Sequence, residues 1–502
     1  MPTRHRARPL ALLAAGALAA CIGPSYHRPP MPAPDGWRPP SASADSLRPF
    51  FDSLARSRDS TAGAERRASP ASPLPRPDSV ADLRWLALFQ DTVLQRLVET
   101  AVRENRDVRT AAATIEEFRA DYGIARGAYF PQLSVSAQAG RQKIIFGGNQ
   151  PFTFDVFNVV GNVSWELDFW GRLRRATQAA RADLLAQEQN QRAVVLSLVS
   201  SVAVSYLQLR QLDLDLSIAE RTLASRRQTL ALAQRRYGQG LISELDVRQF
   251  EADVADPAAR VADFQRQIAQ LENQLSVLLG HPPGAIPRGR QLPEVLSAIA
   301  IPTGVPSELL DRRPDVRAAE QTLAAATARI GVAEGARLPH FTITGQYGSQ
   351  SNELSRLLKS NTDVYQVFFG ISLPLFTGGQ LRNEVRAAQA RAEQARYQYE
   401  QTYLQALQEV ETSLSALHSD RDQVVAQRVQ VDALRRALRL ATERYEGGIS
   451  AYLDVLDAER NLFTAELALT QVQLREAADA VQLYEALGGG WPADSSMGTP
   501  RR

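Results

Sequence analysis

The sequence has few of the residues from which enzymes build reactive centres. It contains one cysteine and five histidines among 502 residues, which leaves little scope for metal or thiol chemistry. No Gly-x-Ser-x-Gly turn, His-Glu-x-x-His helix or phosphate-binding glycine loop occurs in it. The 57 basic and 55 acidic residues nearly cancel, so the positive charge typical of a nucleic-acid-binding protein is also missing. We expect no enzymatic activity, no cofactor, no metal and no nucleic-acid partner.

Long apolar runs are scarce as well, apart from the N-terminus. Three arginines precede the apolar stretch 10–17, and small residues follow at 18–20. This pattern predicts a signal peptide over residues 1–20. No later run approaches the roughly 20 apolar residues of a membrane helix, so any membrane-spanning structure should be a barrel.

The only cysteine, Cys21, follows this cleavage site at once. Leu18-Ala19-Ala20-Cys21 resembles a bacterial lipobox, which implies that the new N-terminus carries lipid. The alternative is a cysteine of the signal peptide without a role. Several acyl chains would anchor the protein firmly, whereas a single chain binds membranes only marginally. Ile22, in place of an aspartate, favours export to the outer membrane.

The chain repeats itself at a constant offset of 208 residues. Asp107-Val108-Arg109 recurs as Asp315-Val316-Arg317, and Leu245-Asp246-Val247 recurs as Leu453-Asp454-Val455. Glycine, proline and tyrosine also recur at matching positions, which an alanine-rich helical composition alone would not produce. Each copy is predicted to run helix, strand, loop, strand, very long helix, tight turn, helix.

The repeat and the composition together divide the chain into six parts. Residues 21–90 are rich in proline, serine, alanine and arginine, which favours an extended strap and linker over a packed domain. The predicted parts are the signal peptide 1–20, the lipidated strap and linker 21–90, repeat 1 at 91–282, a connector at 283–306, repeat 2 at 307–487 and a C-terminal tail at 488–502.

The predicted strands alternate strictly between apolar and polar residues. Such alternation suits a membrane barrel with an apolar outer face, although any one strand alone would equally suit a soluble sandwich. Four strands cannot close a barrel, so oligomerisation is implied. The apolar faces contain Leu133, Val135, Ala137 and Ala139; Phe157, Val159, Val163, Trp165, Leu167 and Phe169; Phe341, Ile343, Gly345 and Tyr347; and Tyr365, Val367, Phe369, Ile371, Leu373 and Leu375.

The segments that follow the second strand of each copy lack proline for almost seventy residues. Each would form a helix of roughly 100 Å, and its apolar residues recur every seven positions. This spacing predicts left-handed coiled-coil packing, with an ordinary amphipathic bundle helix as the alternative. In the helix after the first turn, Pro257 predicts a kink or break. The two series are Val195, Val202, Leu209, Leu216, Leu223, Leu230 and Tyr237, and Tyr403, Val410, Leu417, Val424, Val431, Leu438 and Tyr445.

Three segments resemble the TolC-like outer-membrane efflux factor family, specifically its lipoprotein branch. They are Gly23–Pro29 behind the lipobox, Leu309–Val316 opening the second repeat, and Arg444–Asp457 around the second helical turn. The resemblance extends from Cys21 to about Leu487, with residues 41–77 as an insertion. Together these segments are specific, although each is weak alone.

The resemblance implies a fold class and a function. The fold class is an α+β membrane protein, a trimeric 12-stranded transmembrane β-barrel with four strands per chain, continued by a periplasmic α-helical coiled-coil barrel. The function is the passive exit duct of a tripartite efflux system, located in the outer membrane. The expected partners are two further copies of the chain, outer-membrane lipid, a periplasmic adaptor protein and an inner-membrane RND-type pump. Small molecules are the expected cargo.

The resemblance also assigns residues at the periplasmic end of the duct. Tyr445 matches the gate tyrosine of the family, and Asp454 and Asp457 match acids that form rings in its lumen, where they would favour cations. Alternatively, both acids could simply interact favourably with the dipole at the N-terminal end of their helix. Tyr237 and Asp246 are the first-repeat counterparts of Tyr445 and Asp454, and Ser243 with Asp246 also fits a capping box. The adaptor-contacting tips are Gly238, Gly240 and Leu241, and Gly447, Gly448 and Ile449.

The closed-state lock is not identified by the resemblance. Some relatives carry an arginine where this chain has Ser450, and Arg444 is a candidate substitute. Three alternatives to the efflux duct also stay open. They are an envelope hydrolase, a non-conducting coiled-coil lipoprotein that tethers envelope layers, and the exit duct of a type I protein-secretion system.

Overall fold

The computed structural model describes residues 22–31, 91–146, 150–292, 294, 312–359 and 361–489. The predicted signal peptide, the lipidation site Cys21, the Pro/Ser-rich stretch 41–77 and most of the C-terminal tail lie outside the described residues.

The first repeat contains four helices and two strands. Asp91 begins it as a helix cap, because its carboxylate accepts the backbone N–H groups of Val93 and Leu94. The elements are α1 (Thr92–Glu104), α2 (Arg106–Gly127), β1 (Gln132–Phe146), β2 (Gln150–Leu167), α3 (Arg172–Gly238) and α4 (Glu244–Leu278).

The described part of the second repeat begins at residue 312, and its helices and strands have the order that the first repeat has from α2 onward. Its long helices begin and end 208 positions after α3 and α4, so the predicted repeat extends to the helix boundaries. The elements are α5 (Pro314–Gly335), β3 (His340–Ser351), a short 3₁₀ turn (Leu354–Arg356), β4 (Asp363–Ser372), α6 (Gln380–Glu446) and α7 (Tyr452–Ala486).

The chain divides into two compact units. Unit 1 comprises residues 1–31, 112–190 and 317–402, and unit 2 comprises residues 32–111, 191–316 and 403–502. The four strands belong to unit 1, and the turns that end α3 and α6 belong to unit 2.

The four strands form one antiparallel sheet in the order β1-β2-β3-β4. The register pairs Leu133 with Val163, Val163 with Gly345, and Gly345 with Val367, so the predicted apolar positions of all four strands lie on one face. β1 and β4 are the sheet edges, and neither has a second strand beside it in the described chain. An open edge of this length is a template for pairing with a strand of another chain.

Two strands are shorter at one end than the alternation indicated. β2 ends at Leu167 and β4 ends at Ser372, so Phe169, Leu373 and Leu375 lie outside the strands. The inclusion of these three residues was wrong. Proline at position 374 explains the second boundary, since it has no N–H group for the ladder.

The long helices bury their seven-residue series in unit 2. Val202 and Leu209 are fully buried in α3, and Val410, Leu417 and Val424 are almost fully buried in α6. Toward the turns the burial decreases, until Tyr237 is 45% exposed. The apolar series therefore forms a packed core along most of unit 2.

The expectation that no apolar run after the N-terminus approaches a membrane helix needs correction. α3 contains an 18-residue window with a mean hydropathy of 1.5, so by length and composition it could cross a membrane. Half of that window is buried inside the protein, as is common for core helices of soluble proteins.

Pro257 does not break α4, which continues to Leu278, so the predicted break was wrong. Proline removes the N–H group that would bind the carbonyl four residues earlier, which belongs to Asp253. Arg226 Nη1 donates to that carbonyl at 2.8 Å. The neighbouring helix thus satisfies the oxygen that the proline leaves free.

Candidate functional site

The two turns at the ends of α3 and α6 have the same hydrogen-bonded geometry. Gly240 and Gly448 adopt positive φ angles of 71° and 72°. In the first turn, Gly240 N–H donates to the Tyr237 carbonyl at 2.8 Å and Leu241 N–H to the Arg236 carbonyl at 3.0 Å. Gly448 and Ile449 make the equivalent bonds in the second turn. This is a Schellman cap, which explains why glycine occupies the left-handed position.

The turns present apolar side chains to solvent at repeat-related positions. Leu241 is 67% exposed and Ile449 is 72% exposed, and Leu245 and Leu453 are exposed in the first turns of α4 and α7. Gly238 has open space beside it. Such a cluster of exposed large apolar residues is typical of a docking surface. The predicted adaptor-contacting tips lie here, and their role stays a prediction.

Tyr445 connects the ends of the long helices in unit 2. Its hydroxyl accepts a hydrogen bond of 2.5 Å from Arg236 Nη1, and the guanidinium lies 5.4 Å from its ring centre. Tyr445 also packs edge-on against Tyr452, and Tyr452 contacts Phe250. The rings of α4, α6 and α7 thereby form one aromatic cluster beside the turns, and Arg236 of α3 binds it. Tyr237, the counterpart of Tyr445 in the first repeat, is 45% exposed.

The sequence did not single out Arg236 as a partner of Tyr445. Arg444 was the proposed substitute for a missing locking arginine, but Arg236 is the basic residue that contacts Tyr445. The repeat could have indicated Arg236 as a second candidate, because Arg236 and Arg444 occupy the same position of the two repeats. The Ser450 hydroxyl is buried and has no hydrogen-bond partner among the described residues.

The predicted acids of the gate have different surroundings. Asp454 and Asp457 are exposed on the first two turns of α7, and Asp457 accepts a hydrogen bond from Asn461. Asp246 instead forms a capping box with Ser243, whose backbone N–H and hydroxyl both donate to its carboxylate. These bonds lower the pKa of Asp246. The capping function of Asp246 is therefore confirmed, and the acidic rings stay a prediction.

The segment behind Cys21, residues 22–31, is held against the helices of unit 1, to which it belongs; we call it the strap segment. Arg175 donates to the carbonyl oxygens of Ile22 and Gly23 at 3.0 and 2.9 Å. Tyr26 donates to Glu320, and Arg28 donates to Tyr399. A side chain at Gly331 would meet the Ile22 oxygen at 2.8 Å, so glycine permits this close approach.

No cluster of three or more histidine, cysteine, aspartate or glutamate residues in the described parts of the chain could hold a metal ion. Exposed arginines and carboxylates lie beside the turns together with the exposed apolar side chains of Leu241 and Ile449. Exposed apolar side chains of this kind suit a docking surface.

A family model described as outer membrane efflux protein matches residues 97–281 and 305–489. The chain belongs to this family. The two matched stretches correspond to the two structural repeats, and the family consists of efflux channels rather than enzymes.

Curated relatives cover nearly the whole chain. The toluene efflux pump outer membrane protein TtgF of Pseudomonas putida is 34% identical over 486 residues, 96% of each protein. The cation efflux system protein CusC of Escherichia coli is 32% identical, over 89% of this chain and 98% of its own length.

Solved structures agree with this assignment. A membrane protein from Pseudomonas aeruginosa superposes with a TM-score of 0.82 at 31% identity, covering 93% of this chain and all of that one. The open state of the Neisseria gonorrhoeae MtrE outer membrane channel gives 0.78 at 31% identity, covering 94% and 98%. These neighbours are trimeric channels with a tandem repeat, which confirms the predicted fold class. The protein is an outer-membrane component of an efflux pump.

Proposed function

We propose that three copies of this chain form the passive exit duct of a tripartite efflux system for small toxic molecules. A periplasmic adaptor would contact the turns of α3–α4 and α6–α7, and an inner-membrane RND-type pump would supply energy and select the cargo. Lipid on Cys21 would anchor each subunit. The five predicted parts that follow the signal peptide would make up the mature chain.

The observation that carries this proposal is the sheet of unit 1. Both of its edges are open, and its apolar face is largely exposed, with Leu133 at 81% and Tyr365 at 80%. A soluble protein rarely exposes so continuous an apolar surface. Closing three such sheets into one barrel pairs every edge and turns the apolar face toward lipid.

The adaptor proposal is supported by the paired turns. Their apolar residues occur at equivalent positions of both repeats, so a trimer would present six similar docking positions. An adaptor with repeated helical elements could then bind each position in the same way. The lipid anchor is supported by the strap segment, which Arg175 holds directly behind Cys21.

Small-molecule cargo is favoured by what the relatives are named for, which includes toluene, solvents, antibiotics and cations. Within this chain, exposed Asp454 and Asp457 would add negative charge beside the turn between α6 and α7, which favours cations over anions during passage. Type I protein secretion and a non-conducting tether are the alternatives.

Conductance in a planar bilayer tests the duct directly. We expect the purified trimer to give discrete, cation-selective current steps, and the Asp454→Asn/Asp457→Asn double variant to lose most of the selectivity while still conducting. A trimer that never conducts would favour the tether.

To separate cargo classes, a bacterium lacking its own exit duct should regain tolerance to solvents or antibiotics when it expresses the chain with its adaptor and pump. Restored protein secretion without restored tolerance would favour the type I alternative.

A further inference from the structure

A cavity of about 410 Å³ lies in unit 2 among α3, α6 and α7. Three arginines and two glutamates line it, so its charged residues carry one excess positive charge. Glu466 accepts hydrogen bonds from Arg221 at 3.0 Å and from Arg435 at 2.7 Å, and both arginines are mostly exposed at the rim. Arg226 is different, because it is only 3% exposed.

Only one of the three nitrogen atoms of the Arg226 guanidinium donates a hydrogen bond to a described residue. Nη1 donates to the Asp253 carbonyl that Pro257 leaves free, and the guanidinium carbon lies 5.7 Å from the ring centre of Phe463. Nε and Nη2 are both buried, and no described residue accepts a hydrogen bond from either. These two N–H groups form the parallel edge with which arginine binds an oxyanion through two bonds.

Other arginines of this protein show what that edge normally binds. Arg141 uses Nε and Nη2 to bind both carboxylate oxygens of Asp155, at 2.7 and 3.1 Å. Arg313 binds Asp315 in the same manner, at 3.0 and 2.7 Å. At Arg226 two carboxylate oxygens lie at ion-pair distance, Glu459 Oε2 at 3.9 Å from Nε and Asp256 Oδ2 at 3.9 Å from Nη1, and both distances are too long for a hydrogen bond.

The repeat indicates that this arrangement is specific to one half of the chain. The positions 208 residues after Arg226 and Pro257 hold Leu434 and Ala465. The arginine and the proline that frees its anchoring carbonyl therefore occur together in the first repeat and are both replaced in the second. A buried charge without a full set of partners is costly, so the pair is not explained by packing alone.

We propose that the cavity binds a small oxyanion, a carboxylate or a phosphate, through the Nε and Nη2 groups of Arg226. Arg221 and Arg435 at the rim attract the anion and retain their bonds to Glu466. Because the lining comes from α3, α6 and α7, the bound anion joins three helices near their turns. This site does not depend on the cargo of the duct.

Calorimetric titration of the full-length trimer in detergent tests the proposal. Inorganic phosphate and succinate are titrated separately, with sodium chloride at equal ionic strength as the reference that cannot bridge the two N–H groups. We expect saturable binding of phosphate, succinate or both, and the comparison identifies which oxyanion chemistry the cavity prefers. Absence of saturable binding by either anion overturns the proposal.

Variants locate the binding. Arg226→Lys keeps the charge but loses the paired donors, so we expect binding about tenfold weaker or more. Glu459→Gln removes the competing carboxylate and should bind as tightly as the natural protein or more tightly. Arg227→Gln, an exposed neighbour on α3, is the matched control and should bind unchanged. Equal binding by Arg226→Lys and the natural protein, or weaker binding by Glu459→Gln, overturns the assignment. If Arg226→Lys does not form trimers, the anion affinity of Glu459→Gln is compared with that of the natural protein, and weaker binding by this variant overturns the assignment.

Discussion

At Tyr445 one hydroxyl group joins the ends of α3 and α6 through its bond with Arg236. A hydrogen bond to a charged donor contributes about 1.5–3 kcal/mol, which corresponds to roughly tenfold or more in an equilibrium. If the proposed gate opens by separating these helix ends, that bond favours the closed state. The ring itself also packs on Tyr452, so removal of the hydroxyl leaves the packing intact.

We therefore predict that Tyr445→Phe raises the fraction of time that single trimers are open by about tenfold in planar bilayers. Tyr237→Phe is the matched control, because Tyr237 holds the equivalent position and is about half exposed. Equal open fractions for Tyr445→Phe and the natural protein would contradict a locking function of the Arg236–Tyr445 bond.

Asp215 is a buried acid in the helical core of unit 2. Burial raises its pKa to about 7, although the Thr470 hydroxyl donates a hydrogen bond to it. In the unfolded chain its pKa is about 3.9. The folded state therefore binds the proton more tightly, and the stability from this group is full below about pH 4 and is lost as the pH rises through about 7.

We predict that Asp215→Asn stabilises the protein above about pH 7 by roughly 2–4 kcal/mol and has little effect near about pH 4. Thermal unfolding of the trimer across this pH range measures the difference. A variant that is less stable than the natural protein on the alkaline side of this range would show that the ionised carboxylate is the form that the core prefers.

Among the elements, the helices and strands were largely predictable from the sequence because each follows a period that the chain displays twice. The apolar alternation placed the β-strands on one face, and the seven-residue series located the buried side of α3 and α6. The contacts that fix the site were not predictable. The bonds from Arg175 to the strap segment and from Arg236 to Tyr445 join residues far apart in sequence, and no local period encodes such pairs. Pro257 shows the same limit, since its tolerance depends on Arg226 of another helix.

The turns that follow α3 and α6 allow a prediction about docking. Leu241 and Ile449 are exposed and make no contribution to a buried core. Replacing both with aspartate should leave bilayer conductance unchanged but abolish restored solvent tolerance in cells, because an apolar adaptor surface would face buried charge. Leu440→Asp, at an exposed position on α6 before the turn, is the control. Loss of tolerance in the control as well would argue against a specific tip contact.

The strap segment lies close to α5 because Gly331 has no side chain. Valine at this position would meet the Ile22 oxygen and the Arg175 side chain. We predict that Gly331→Val increases hydrogen exchange of the strap-segment amides by about tenfold or more, as expected for the loss of one or two hydrogen bonds. Gly123 occupies the same place in the first repeat, with no described atom within 4 Å of its would-be side chain. Gly123→Val should therefore leave the exchange of these amides unchanged, and equal exchange in both variants would contradict the prediction.

At the scale of the whole molecule, the repeat indicates which strands pair between the subunits of a trimer. Within one chain, β2 of the first repeat pairs with β3 of the second. The equivalent pairing across a subunit boundary joins β4 of one chain to β1 of the next, and it uses the two edges that are open within a chain. Each of the three boundaries should then resemble the β2–β3 pair.

Glycines in β1 and β3 provide a test of this equivalence. A side chain at Gly348 in β3 would collide with the Val159 backbone oxygen at 2.1 Å. Gly140, at the same position in β1, has no described atom within 4 Å. If subunit boundaries repeat the β2–β3 geometry, a side chain at Gly140 would instead meet the backbone oxygen of Val367 of the partner subunit. Gly140→Val should consequently fold as a chain but fail to assemble, and light scattering in detergent should detect monomers. Ala137→Val, which enlarges a side chain on the apolar face of the same strand, should still give trimers. Stable trimers of Gly140→Val would exclude this strand pairing at the boundary, because no backbone oxygen could then approach that position as closely as Val159 approaches Gly348.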